Sequence, residues 1–206
     1  MLSDKFDFIY KFKQPKYISM NLTAIILAGG KSIRMGENKA LVPFLGKPLI
    51  QYAIDLALEY TGDILISANN RDLDQFGFPV IPDVTDIKAP LAGIHSGLRA
   101  SATDWNLVLT CDMPNVSKEV ISLLLSSLDD NLRMVLPCHD GFIEPLCGFY
   151  HQRILPVMES NITIGKLSLL DLPGQVAHRL IEIREVPSKE IALLFRNMNE
   201  RSNLLE

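Results

Sequence analysis

Three stretches, TAIILA (23–28), DILISAN (63–69) and WNLVLTCD (105–112), constrain this chain more than anything else in it. Their apolar runs are nearly continuous and short, so each reads as a strand covered on both faces. Between them lie segments of helical period. In 48–60 apolar residues stand at helical spacing at Leu49, Tyr52, Ala53, Leu56, Ala57 and Tyr60, with Pro48 suited to a first turn. PLAGIHSGLRAS (90–101) reads as a second helix, and SKEVISLLLSSL (117–128) as a third with Ser117 as its N-cap. A short strand is expected at 78–83, further strands at 132–138 and 144–151, a helix near 152–160, and a short helix leading into ALLFRNMN (192–199). Strands that alternate with helices require crossover connections. The expected fold class is therefore α/β: a Rossmann-like three-layer sandwich with a mostly parallel, mixed sheet.

Length and charge narrow the partners. The chain has 206 residues and is 48% hydrophobic, enough for one domain with a sizeable core. We expect that domain over 20–206, after an N-terminal extension at 1–19. In FDFIYKF, Phe6, Phe8, Tyr10 and Phe12 share one face if extended. The extension reads either as a loosely docked tail or as an added edge strand, and Met20 is an alternative start. A formal net charge of −4 argues against a nucleic-acid partner. No apolar stretch is long enough to span a bilayer, so no membrane partner is expected. The three cysteines, Cys111, Cys138 and Cys147, form no CxxC, which points to a reducing, cytoplasmic compartment. The four histidines, His95, His139, His151 and His178, show no metal-ligand spacing and read as structural or surface residues.

In sheets of this kind, ligands gather beyond the carboxyl ends of the strands. Those ends carry Gly29 and Gly30, the segment Ser67 to Asn70, Asp83 and Asp112, so all four points are expected at one crevice. The first is followed by Lys31, Arg34 and Lys39. Glycines let a backbone approach an anion closely. Arginine offers a planar fork for phosphate and lysine a point charge. The spacing is neither a Walker A loop, since no lysine follows Gly36, nor a dinucleotide fingerprint. A solvated glycine turn remains the alternative. Asp112 ends an apolar strand, where one hard oxygen ligand suffices for Mg²⁺ if a triphosphate supplies others; a turn-capping Asp is the alternative. Asp83 reads likewise as an Asx-turn former or a ligand contact.

The motifs extend beyond this loop. LAGGKSIRMGENKALVPFLGKPLI resembles the opening signature of the small nucleotidyltransferases, and its resemblance to the molybdenum cofactor guanylyltransferases is unusually close. DILISANNRD, PDVTDIKAPLAGIHSGL, LVLTCDMP, EPLCGFY and FRNMNERSNL resemble further segments of that family in the same order. The resemblance runs from about residue 22 onward and implies a nucleotidyltransferase fold of the glycosyltransferase-A type. It implies a backbone contact to nucleotide from Leu27, Ala28 and Gly29, phosphate contacts from Lys39 with Arg34, a nucleotide contact at Asp83, and Mg²⁺ on Asp112. Two departures stand out. Many guanylyltransferases have Asn where this chain has Ser67; Asn69, two residues on, lies on the same strand face, and either is placed to reach base or ribose. The ending has Glu-Arg-Ser in place of Thr-Pro-Glu, beside the site candidates Asn197 and Asn199.

The resemblance implies transfer of GMP from GTP to molybdopterin carrying molybdenum, with release of pyrophosphate. Arg34, Lys39 and Asp112 would carry the reaction. Other proteins of cofactor biosynthesis or molybdoenzyme maturation enter as partners. The competing readings are a cytidylyltransferase for the same cofactor and a non-catalytic nucleotide-binding protein of the same fold.

Overall fold

In the computed structural model the residues described are 21–29, 38–83, 87–184 and 190–198. The extension at 1–19 and the residues Gly30, Lys31, Arg34 and Asn199 lie outside them. The first strand, β1, is Leu22–Leu27. A small hairpin of β2 (Pro43–Phe44) and β3 (Lys47–Pro48) leads into α1 (Leu49–Leu58). There follow β4 (Ile64–Ser67), β5 (Val80–Ile81), α2 (Pro90–Ala100), β6 (Trp105–Thr110) and α3 (Lys118–Leu125). The second half adds β7 (Met134–His139), β8 (Phe142–Ile143), β9 (Gly148–His151), α4 (Leu155–Thr163), β10 (His178–Glu182) and α5 (Ile191–Leu194).

The main sheet has the order β10-β7-β9-β6-β1-β4-β5, with β8 paired to β7. β5, β4, β1 and β6 are mutually parallel; β9 runs antiparallel between β6 and β7. β7 and β10 are parallel to each other and share the direction of β6. Six strands thus end at one edge.

Both faces of β1 are covered, which explains its unbroken apolar run. Ala24 and Ile26 pack with Ile50 and Ile54 of α1 and with Val120, Ile121 and Leu124 of α3. Ile25 and Leu27 face the other way, onto Leu91, Ile94 and Leu98 of α2 and Met158 of α4. Three layers result. Among the described residues no helix is long and apolar enough to cross a membrane. All three cysteines are free and buried.

Several elements differ from the sequence reading. The segment expected as strand 144–151 is strand only from Gly148, because Glu144 to Cys147 form a turn. The third parallel strand is two residues long. β10 was not anticipated; it is an edge strand whose residues are all at least partly exposed, so it lacks an apolar signature. Pro48 stands at the N-cap of α1, one residue ahead of the first turn. Ser117 occupies the N-cap of α3, but its hydroxyl makes no capping bond and is buried without a partner.

Candidate functional site

The strand ends meet in register. Leu27 is level with Ser67 on one side and Thr110 on the other, and Ser67 is level with Ile81. The ladder continues past the strands: Ala28 N–H donates to the Ser67 carbonyl at 3.0 Å, Ala68 N–H to Ile81 at 3.0 Å, and Cys111 N–H to Leu27 at 3.1 Å. Gly29, the segment after Ser67, Asp83 and Asp112 therefore lie side by side along the carboxyl edge. Of the three residues expected to offer backbone to a nucleotide, Leu27 buries its side chain in the core, Ala28 is half-buried and Gly29 is exposed. A Cβ on Gly29 would lie 3.7 Å from the Ser67 carbonyl, so the chain passes close to the end of β4.

Lys39 and Asp112 come together across the edge. Asn38 accepts from the Ala40 N–H through Oδ1 at 3.2 Å and starts a 3-10 turn over Lys39–Leu41. The β2–β3 hairpin follows, with Leu45 and Gly46 both at positive φ, 45° and 88°. Tyr52 of α1 pins it: its hydroxyl donates to the Phe44 carbonyl at 2.8 Å, and the two rings lie 5.6 Å apart. So held, the turn sets Lys39 Nζ 2.7 Å from Asp112 Oδ2. The other carboxylate oxygen accepts from the Cys111 thiol at 3.2 Å. Burial, with the Asp112 charge second, pushes the Cys111 thiol well above its ordinary range, so it stays a neutral donor. The C-terminal segment crosses behind: Met198 N–H donates to the Asp112 carbonyl at 2.9 Å, and its side chain packs with Val42, Phe44 and Leu49. Its neighbour Asn197 has a buried Oδ1 with no partner.

Asp83 and Asn69 form a second pair. Asn69 Nδ2 donates to Asp83 Oδ2 at 3.0 Å, and the Asp83 N–H donates to Asn69 Oδ1 at 2.9 Å. Burial raises the Asp83 carboxyl above its usual range, and the Asn69 bond opposes that shift. Ser67 is 2% exposed and donates to the Gly93 carbonyl at 3.2 Å, so its hydroxyl fastens β4 to α2. The shared strand face of Ser67 and Asn69 does not persist, because β4 ends at Ser67.

One cluster at this edge escaped the sequence reading. His139, at the end of β7, lies 3.0 Å through Nε2 from Glu144 Oε1 and stacks on Phe195 at 5.1 Å and 6°. A histidine with no metal spacing gives no signal; the Asp140-Gly141 turn beside it, with φ of 49° and 81°, does, being a two-residue hairpin pair.

The donor set bears on Mg²⁺. Among the described residues no three His, Cys, Asp or Glu gather to hold a metal. A lone strand-end carboxylate fits a hard cation that takes its remaining ligands from phosphates and water, which is how Mg²⁺ binds with nucleotides.

A mostly parallel α/β sheet with a glycine, a lysine and two carboxylates at its carboxyl edge defines the class: a nucleotide-handling α/β domain. The family model described as MobA-like NTP transferase domain matches residues 24–177, and the chain belongs to that family. It is 36% identical, over 80% of its length and 86% of the relative's, to a protein from Flavobacterium johnsoniae named probable molybdenum cofactor guanylyltransferase. It is also 36% identical, over 82% and 89%, to a molybdenum cofactor guanylyltransferase from Aliivibrio salmonicida. The crystal structure of molybdopterin-guanine dinucleotide biosynthesis protein A from Archaeoglobus fulgidus shares the fold, with a TM-score of 0.74 at 22% identity over 89% of this chain and 95% of that one.

Proposed function

We propose that the protein transfers GMP from GTP to molybdopterin carrying molybdenum, forming the guanine dinucleotide cofactor and releasing pyrophosphate. Family membership and the names of the relatives support the donor and acceptor. The observation that carries the site is the Lys39–Asp112 pair at the carboxyl edge.

A phosphate oxygen of the acceptor forms a bond to the α-phosphorus of GTP. The bond from that phosphorus to the bridging oxygen breaks, and pyrophosphate departs with the electron pair. The acceptor phosphate is already anionic, so no strong general base is needed. The chain's task is to orient and to neutralise charge. Gly29 gives the triphosphate a close approach. Lys39 balances the charge that grows on the departing pyrophosphate, and Arg34 is assigned the same task. Asp83 contacts the nucleotide beside the end of β5. Asp112 is the residue that would hold Mg²⁺. When bound, Mg²⁺ supplies electrostatic neutralisation of phosphate oxygens. A cytoplasmic location belongs to the same reading and rests on the sparse, unpaired cysteines.

The test is pyrophosphate release and product identity with purified protein, Mg²⁺ and molybdenum-bearing molybdopterin, with GTP against CTP. GTP-selective turnover is expected. Equal or better turnover of CTP, or GTP binding without pyrophosphate release, overturns the proposal.

A further inference from the structure

Asn69 and Asp83 sit on adjacent strand ends, one strand over from Gly29. Three bonds lace these ends together: the Ala68 N–H to the Ile81 carbonyl, the Asp83 N–H to Asn69 Oδ1, and Asn69 Nδ2 to Asp83 Oδ2. The last two use both functions of one amide, acceptor toward the backbone and donor toward the carboxylate. No other common side chain of this length supplies both. Asn69 is exposed and Asp83 half-buried, so the clasp contributes little to the core. Behind it stands α2, where a Cβ on Gly93 would come within 2.9 Å of Ser67 Oγ, 3.2 Å of Leu27 Cδ2 and 3.7 Å of Asp83 Oδ1. The carboxylate is thus confined by Asn69 and by the helix, with Gly93 leaving it room.

We propose that Asn69 is a positioning residue for the reaction: it fixes the Asp83 carboxylate in place and orientation for the nucleotide, and makes no contact with the nucleotide itself. The proposal rests on the reading of Asp83 as a nucleotide contact. The direction of the Asp83 shift agrees with it. Burial alone drives the carboxyl toward its neutral form, and the Nδ2–H bond favours the ionised form.

The experiment is steady-state kinetics of the full chain with GTP, Mg²⁺ and molybdenum-bearing molybdopterin. The variants are Asn69→Ala, Asn69→Asp, Asp83→Ala and the double Asn69→Ala with Asp83→Ala, each checked for Tm. Asn69→Ala is expected to raise KM for GTP about fivefold while kcat stays within about twofold. Asn69→Asp keeps the acceptor for the Asp83 N–H but sets a second carboxylate where the donor stood. It is expected to raise KM further than alanine does. The double variant is expected to match Asp83→Ala alone, since Asn69 then has nothing to position. Losses that multiply in the double variant overturn the proposal, as does an Asn69→Asp enzyme equal to wild type. If Asp83→Ala raises KM and the Asn69 variants do not, only the positioning role falls. If Asp83→Ala leaves KM unchanged, the reading of Asp83 as a nucleotide contact falls, and the positioning role with it.

Discussion

Asp112→Ala separates chemistry from structure at the centre of this site. The carboxylate lies 2.7 Å from Lys39 Nζ, with the two side chains 28% and 20% exposed. An ion pair near the rim contributes about 1 kcal/mol or less to folding. The Cys111 thiol loses an acceptor at 3.2 Å, but a thiol is a weak donor and adds a few tenths of a kcal/mol, roughly. The bond from Met198 ends on the Asp112 carbonyl, and an alanine keeps it. The cost is therefore under about 2 kcal/mol. For a chain of this size that is a Tm shift below about 8 °C. The kinetic effect is of another order. Removing the carboxylate that would hold the neutralising cation is expected to lower kcat about 100- to 1,000-fold, the equivalent of about 3–4 kcal/mol. The assay is pyrophosphate release at saturating GTP, acceptor and Mg²⁺, beside calorimetric melting of the same preparation. Turnover within about fivefold of wild type refutes the role of Asp112. A melting point lowered by well over about 8 °C shows instead that the residue holds the fold.

Two further outcomes follow from packing and burial. Gly97→Ala gains about 1 kcal/mol of helix propensity. Its Cβ, however, would stand 2.5 Å from Cγ2 of Ile25, which is 0% exposed in the middle of β1. Overpacking costs about 1–3 kcal/mol, so Tm is expected to fall by a few degrees, and a rise refutes the clash. The second outcome concerns Asp83, whose raised carboxyl makes the folded chain bind its proton more readily than the unfolded chain does. Stability at this residue therefore declines as pH rises from the unfolded value of 3.8 through the folded one, and the cost is complete above that. Asp83→Asn is expected to raise Tm at pH 7, with a gain that shrinks toward pH 4 while GTP affinity falls. Melting curves at the two pH values check it, and a gain that is larger at pH 4 refutes the sign.

Legibility in this sequence followed burial. The runs at 23–28, 63–69 and 105–112 were readable because strands covered on both faces must be apolar throughout. The helix at 90–101 was readable because its large apolar side chains, Leu91, Ile94 and Leu98, keep helical spacing, although Leu91 to Leu98 are buried without a break. β10 was not, since HRLIE is exposed or half-exposed at every position and carries no pattern. The turn at Glu144 to Cys147 reads as strand in the sequence because an apolar Pro-Leu-Cys looks alike in either. The antiparallel course of β9 was equally hidden: composition does not encode direction, and the Asp140-Gly141 pair marks only the nearby hairpin of β7 and β8.

Apolar period and strand-end chemistry are local properties, so the layers and the edge that gathers Gly29, Asp83 and Asp112 could be read from the residues alone. Which side chains touch was settled by the folding of distant segments onto one another. Lys39 meets Asp112 because the 3-10 turn at Lys39–Leu41, followed by a hairpin that Tyr52 pins, holds it beside a residue just past the end of β6. Asn69 clasps Asp83 because β4 stops at Ser67, and the two-residue alternation that would have turned Asn69 elsewhere stops with it. Such pairings depend on where neighbouring strands end relative to one another, a quantity fixed by register between distant segments and absent from any one of them.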